Sequence, residues 1–179
     1  MVLTLIGYRA TGKTTLAKLL AERLGWDWID ADVEIERVAR KSIARIFAED
    51  GEPAFRDIEA RVTAELCARD RLVLAAGGGA PLREDNRRAM RAAGKVVWLK
   101  ATPETILARM SADATTAGRR PNLTDRGPLD EIIELLGRRE PIYRELADLK
   151  IDTEGKSPDA LADEILDRLG PDFAHGTDA

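Results

Sequence analysis

The chain has 179 residues, 28 Lys and Arg against 32 Asp and Glu for a formal net charge of −4, and an apolar share of 44%. That length suits one domain with a sizeable core, and the slightly acidic balance argues against a general nucleic-acid binder, whose phosphate contacts need a basic surplus. One cysteine, Cys67, and one histidine, His175 near the C-terminus, exclude an internal disulfide, a cysteine-based metal site and a Ser-His-Asp triad in the body of the fold.

Any general base must then be a carboxylate, a lysine or a tyrosine. No stretch approaches the roughly 20 apolar residues of a membrane helix. Structured sequence is expected to begin at once with Val2-Leu3-Thr4-Leu5-Ile6, which leaves no room for a signal peptide. A single thiol suits a reducing cytoplasm, the expected location.

Strand-like and helix-like segments alternate, which points to an α/β fold with a parallel sheet. Val2 to Ile6 reads as a buried strand ending at Gly7. Leu16, Leu19, Leu20 and Leu24 follow at helical spacing, with Gly25 as a natural C-cap. Trp28-Ile29 makes a second strand running into Asp30-Ala31-Asp32. A helical region from about Val33 to Arg69 is interrupted near Lys41-Ser42 and Asp50-Gly51-Glu52-Pro53, and its later part carries an apolar stripe at Phe55, Ile58, Val62 and Leu66.

Leu72 to Ala76 is a third strand leading into Gly77-Gly78-Gly79, and Pro81 suits the first turn of a helix reaching Ala93. Lys95 to Leu99 is a fourth strand, with Thr102 and Pro103 capping the next helix through Met110. Ser111 to Gly127 reads as a long mobile loop. Leu129 to Ala147 is helical, with a kink or break expected where the ring of Pro141 meets the carbonyl of Gly137. Leu149 to Ile151 is a fifth strand, Ser157-Pro158 opens a last helix through Leu169, and residues 171–179 read as a flexible tail.

Gly7-Tyr8-Arg9-Ala10-Thr11-Gly12-Lys13-Thr14 satisfies G-x-x-x-x-G-K-[ST], between a buried strand and an amphipathic helix. Such a loop wraps phosphate with backbone N–H groups at a helix N-terminus. Lys13 would reach the β- and γ-phosphates, and the Thr14 hydroxyl would ligate Mg²⁺. The chain therefore reads as a nucleoside-triphosphate binder.

Asp30 and Asp32, read as a strand-like stretch, point the same way, one towards metal and one towards an acceptor hydroxyl. The competing reading is helix N-capping, and the two are compatible. Neither the third nor the fourth strand ends in an acid, so Asp30 is the better candidate to steer hydrated magnesium. Gly77-Gly78-Gly79 lets a ligand approach bare backbone, or is merely a flexible connection. Arg56 and Glu59 make either a solvated i,i+3 pair or a fixed guanidinium that clamps a carboxylate. Arg139 beside Pro141, and Arg119 and Arg120 in the long loop, are further candidates; each taken alone reads as a surface residue.

Together these segments resemble the shikimate kinase family, in the nucleoside-monophosphate-kinase-like branch of P-loop proteins. The matching stretches are Gly7 to Thr15, Asp30-Ala31-Asp32, Ser42 to Phe47, Gly51 to Glu59, Gly77-Gly78-Gly79, Arg120-Pro121 and Arg139 to Tyr143. The resemblance implies a three-layer P-loop kinase fold with a five-stranded parallel sheet of order 2-3-1-4-5. It implies one domain over 1–170, with a substrate-binding region at about 32–60 and a lid at about 111–127.

It also implies γ-phosphoryl transfer from ATP to the 3-hydroxyl of shikimate, with Mg²⁺ as cofactor, in aromatic amino-acid synthesis. By position, Lys13, Asp32 and Arg120 would be catalytic, Asp32 as the base. Ala10, Thr11, Gly12, Lys13, Thr14, Thr15, Arg120 and Lys156 would bind ATP. Asp32, Arg56, Gly77, Gly78, Gly79 and Arg139 would bind shikimate, while Thr14 would hold the metal directly and Asp30 through water. Shikimate and ATP are the expected partners of a monomer, without nucleic acid or membrane. Ala10 stands where relatives commonly have glycine, and Lys156 where an arginine occurs.

A gluconate-type or nucleoside-monophosphate kinase shares the phosphate loop and lid, but would lack Arg56, the triple glycine and Arg139 together. A GTPase-like switch or P-loop ATPase module would call for an Asn-Lys-x-Asp motif or an Asp-Glu pair after an apolar strand, and the chain has neither. A silent binding module fits poorly with Lys13, Asp30, Asp32 and Arg120 all in place.

Overall fold

Five parallel strands in the order β2-β3-β1-β4-β5 form the centre of the computed structural model, which describes residues 1–112, 127–170 and 173. The strands are β1 (Val2–Ile6), β2 (Asp27–Asp30), β3 (Leu72–Ala75), β4 (Gly94–Lys100) and β5 (Leu149–Asp152). β3, much of β4 and all of β1 but Thr4 read as apolar runs because helices cover both faces of the sheet. Alternate side chains point to opposite faces, so Val2, Ile6, Leu72, Leu74, Val96 and Trp98 join one core. Leu3, Leu5, Val73, Ala75, Val97 and Leu99 join the other.

The second core is closed by α1 (Lys13–Leu24) and α8 (Pro158–Leu169). The first is closed by α2 (Ala31–Ala39), α3 (Ile43–Glu49), α4 (Gly51–Cys67), α5 (Glu84–Ala93) and the later part of α7 (Pro128–Leu146). A third, smaller core joins Tyr8 to Ile106 of α6 (Pro103–Ala112) and to Ile132 and Leu136 of α7. The expected α/β architecture and strand order are both present.

Four expectations need correction. Asp30 and Asp32 do not share a strand: β2 ends at Asp30, and Asp32 lies in the first turn of α2. The interruption expected over 50–53 is confined to Asp50, because Gly51 (φ +82°) already opens α4 and Pro53 fits its first turn. The helix expected from Pro81 begins instead as a 3₁₀ turn over Ala80–Leu82, with α5 following from Glu84. Finally, of the kink or break expected at Pro141 the break does not occur: α7 continues through the proline, with Arg139 buried before it and Tyr143 and Leu146 after it. Ser111 and Ala112 extend α6, whereas residues 113–126 of the expected lid and most of the expected tail lie outside the described residues.

Candidate active site

The phosphate loop leaves β1 at Gly7 and enters α1 through Gly12, whose φ of +92° is the left-handed conformation that glycine accepts freely. Gly7 has φ +144°, and a Cβ there would stand 2.5 Å from the backbone oxygen of Leu99. Ala10 takes φ +60°, so the loop keeps a glycine-like shape at a strain cost of about 1–2 kcal/mol. The Thr11 hydroxyl braces the turn by donating to the Tyr8 carbonyl at 2.8 Å. Lys13 Nζ donates to the carbonyls of Gly7 (2.9 Å) and Tyr8 (2.7 Å), which hold the ammonium inside the curl of the loop.

The Thr14 hydroxyl donates to Asp30 Oδ2 at 2.6 Å, while Asp30 Oδ1 accepts the backbone N–H of Asp32 at 2.9 Å. Asp30 thus caps α2 and faces the end of the phosphate loop at once, so the two sequence readings of this residue hold together. Thr14 and Asp30 bring two hard oxygen donors side by side. Among the described residues, no group of three or more His, Cys, Asp or Glu could hold a metal alone. That donor set fits Mg²⁺, which keeps several waters and takes one or two protein oxygens with substrate phosphates.

Gly77, Gly78 and Gly79 leave β3, the neighbour of β1, so their buried backbone lies against the phosphate loop at the carboxyl edge of the sheet. A Cβ on Gly78 would stand 3.2 Å from the Gly7 oxygen and 3.6 Å from both the Arg9 nitrogen and Arg139 Nη1. On Gly79 it would stand 2.5 Å from Arg56 Nη1. Arg56 thus lies over Gly79 and Arg139 beside Gly78, while a side chain on Gly78 would press first on the phosphate loop itself.

Arg56 reaches the turn from α4 and is held there by carboxylates. Its Nη1 donates to Glu59 at 2.8 Å, and its Nε and Nη2 donate to Glu52 at 3.2 and 3.0 Å. Glu59 is 1% exposed, so the solvated i,i+3 pair is ruled out. Burial by itself would lower the Arg56 pKa, but the facing charges of Glu59 and Glu52 outweigh it and raise the value. Arg139 reaches the turn from α7 and is itself buried. One helical turn later, the buried Tyr143 hydroxyl donates to the Gly78 carbonyl. The spacing of four puts Arg139 and Tyr143 on one face, so a single helix places both the cation and the glycine backbone.

The shikimate kinase family model matches residues 9–170. The chain belongs to the shikimate kinase family. It is 48% identical over 164 residues to the shikimate kinase of Rhodopirellula baltica, covering 92% of this chain and 88% of that one. Identity to the shikimate kinase of Pseudomonas syringae pv. syringae is 44% over 167 residues, with coverage of 93% and 95%. The structure of the Acinetobacter baumannii shikimate kinase in complex with shikimate aligns at TM-score 0.88 and 36% identity, covering 98% of this chain and 94% of that one.

Of the residues expected to serve a shikimate kinase, the fold gathers Lys13, Thr14, Asp30, Asp32, Arg56, Gly77, Gly78, Gly79 and Arg139 at the carboxyl edge of the sheet. Thr15 is exposed on the first turn of α1. Lys156 lies apart from this group and donates to Glu164 of α8 at 2.6 Å. Arg119 and Arg120 fall outside the described residues. Glu59 is read from the sequence as one of two alternatives for Arg56, a solvated pair or the group that fixes its guanidinium, whereas Tyr143 and Tyr8 are given no role there. The signal for Tyr143 was available, as the residue four after Arg139; for Glu59 the burial that gives it force was not.

Proposed function

We propose that this cleft transfers the γ-phosphoryl of ATP to the 3-hydroxyl of shikimate, giving shikimate 3-phosphate and ADP. The observation that carries the acceptor assignment is the convergence of Arg56 and Arg139 on Gly78 and Gly79, beside the phosphate loop. Two planar forks over bare backbone donors and acceptors match a small acid bearing one carboxylate and several hydroxyls.

In this reading the loop N–H groups from Ala10 to Thr15 hold the phosphates of ATP. Lys13 exchanges its two loop carbonyls for β- and γ-phosphate oxygens and stabilises charge as transfer proceeds. Arg56 and Arg139 grip the shikimate carboxylate, and the backbone of Gly77–Gly79 meets the ring hydroxyls. Asp32, on the first turn of α2, accepts the proton of the 3-hydroxyl as its oxygen bonds to Pγ and the bond from Pγ to the bridging oxygen of ADP breaks. Asp30 fixes the start of that helix through its bond to the Asp32 N–H.

Thr14 directly and Asp30 through water would hold Mg²⁺, which neutralises charge on the β- and γ-oxygens when bound. Arg120 as a phosphate contact and Lys156 as an adenine contact rest on the family resemblance alone, as does a lid over about 111–127. Cytoplasmic action as a monomer belongs to the same proposal; the single buried thiol of Cys67 suits a reducing compartment.

The deciding experiment compares ADP release from ATP and Mg²⁺ with shikimate, gluconate and a nucleoside monophosphate as acceptors. Shikimate should exceed the others in kcat/KM by on the order of 10²-fold or more, because an acceptor of another shape leaves buried polar groups of the site unpaired. Equal release with gluconate would overturn the acceptor assignment.

A further inference from the structure

Tyr8 takes no part in the roles assigned above, yet it touches both halves of the cleft. Its backbone oxygen accepts from Lys13 Nζ and from the Thr11 hydroxyl. Its side chain is 2% exposed and sits in the small core that roots α6 and α7, against Ile106, Ile132 and Leu136. Two guanidinium groups lie over its ring: Arg139 Cζ is 5.5 Å from the centroid and Arg9 Cζ 5.8 Å. A cation within about 6 Å of an aromatic face is drawn to the ring quadrupole, the more so away from water, and Arg139 is 8% exposed.

The two arginines differ in their other partners. Arg9 has a carboxylate, Glu131, at 3.8 Å. Arg139 makes no ion pair among the described residues, so the ring of Tyr8 is what orients its fork. Burial keeps the Tyr8 phenol neutral by raising its pKa, and the face therefore acts through its π electrons and not through a phenolate.

We propose that Tyr8 is a positioning residue for the acceptor. Its ring sets the Arg139 guanidinium for the shikimate carboxylate, and its backbone, holding Lys13, ties that clamp to the phosphate loop. A long side chain fixed before binding loses less rotamer freedom when the carboxylate arrives. The inference rests on the proposal that Arg139 grips the carboxylate.

Electron density on the ring face can be varied while shape is nearly kept. Tyr8→Phe retains the face and should hold the KM for shikimate within about twofold of the parent. Phenylalanine analogues carrying one, two and three fluorines at position 8 should raise that KM stepwise, to about three- to tenfold for the trifluoro ring. The KM for ATP and kcat should stay level through the series, and in an Arg139→Ala background the series should be flat. A ring that only fills space responds to volume and not to fluorine count. If Arg139→Ala raises the KM for shikimate while the fluorine series in the parent is flat, or if the KM for ATP climbs with it, the role of Tyr8 is overturned and the clamp stands. If Arg139→Ala leaves the KM for shikimate unchanged, the clamp itself fails, and the role of Tyr8 with it.

Discussion

The proposed nucleotide and acceptor halves of the cleft are built on different plans. The nucleotide half is one stretch of eight residues and the first turn of α1, held by bonds of the loop to itself. Gly12 caps the helix, Lys13 returns to the carbonyls of residues 7 and 8, and Thr11 returns to Tyr8. The acceptor half draws Arg56 from α4, Gly77–Gly79 from the end of β3, and Arg139 with Tyr143 from α7. Those groups meet only because strands 1 and 3 are neighbours and α4 and α7 cover the same face of the sheet. A local loop tolerates changes elsewhere in the chain but few within it; a site assembled at long range depends on many second partners.

Lys13→Met should show the largest effect, taking turnover down by about 10³-fold or more, because the charge it places on the transferring phosphoryl has no stand-in. Melting temperature should be little altered, since the ammonium is not part of a core. Steady-state ADP release beside a thermal melt checks both statements; normal turnover would end the phosphate-loop reading. Asp32→Asn is expected to cost about 10²–10⁴-fold in kcat, at the lower end if positioning dominates the chemistry. A variant within about twofold of the parent removes Asp32 from the mechanism.

On the acceptor side, Arg56→Ala or Arg139→Ala should raise the KM for shikimate by about 10- to 100-fold, with far less change in the KM for ATP. Lysine at either position should restore only part of the loss, because a point charge lacks the planar fork. Unchanged KM values in both alanine variants would leave the carboxylate unassigned.

A matched pair of glycine changes sharpens the contrast between the halves. Gly7→Ala drives a Cβ into the Leu99 backbone at a strained φ, so it should cost stability, by about 3 kcal/mol or more and on the order of 10 °C in Tm. In Gly79→Ala the Cβ meets only the far end of Arg56, which can swing away. That variant should fold like the parent but bind shikimate several-fold less tightly, roughly as a weakened charged hydrogen bond would. If the two variants gave the same pattern of melting temperatures and KM values, the division into a local and an assembled half would be wrong.

The smallest expected effect concerns Cys67, whose burial pushes its thiol up to about 11. At pH 8 the thiolate is then only about one part in 10³, so labelling by a thiol reagent should be slow until the chain is unfolded. The sign of the stability effect follows from the raised value: the folded thiol keeps its proton above pH 9, where the unfolded one loses it. Stability should therefore fall as pH climbs from about 9 towards 11. Rapid labelling of the folded protein at pH 8 would contradict the buried placement.

Hydrophobic periodicity was enough to place all five strands and most of the helices, and the glycine spacing around Lys13-Thr14 was enough to place the phosphate loop. These features depend on neighbours within a few residues, which a sequence states directly. Arg56 illustrates the limit. Its spacing from Glu59 fitted a surface pair as well as a clamp, and only burial of Glu59 on the inner face of α4, with Gly79 cleared beneath the guanidinium, separates the two. Pro141 illustrates it from the other side: the local rule called for a kink or break, and packing of Tyr143 and Leu146 into the core kept the helix whole.

Asp30 and Asp32 were recognised as a pair, but their division between a strand end and a helix turn came from the cap geometry. The sequence by itself thus determined the five strands, the phosphate loop and the list of cations and carboxylates available for chemistry, because each follows from residue type and short-range spacing; the strand order came from the family resemblance. Tertiary structure alone decided which of those charges are buried and what each one faces: Arg56 over Gly79, Arg139 over the ring of Tyr8, and the Tyr143 hydroxyl on Gly78. Contacts between residues more than 20 positions apart carry no periodic signal, and a buried charge is set by every element that packs around it.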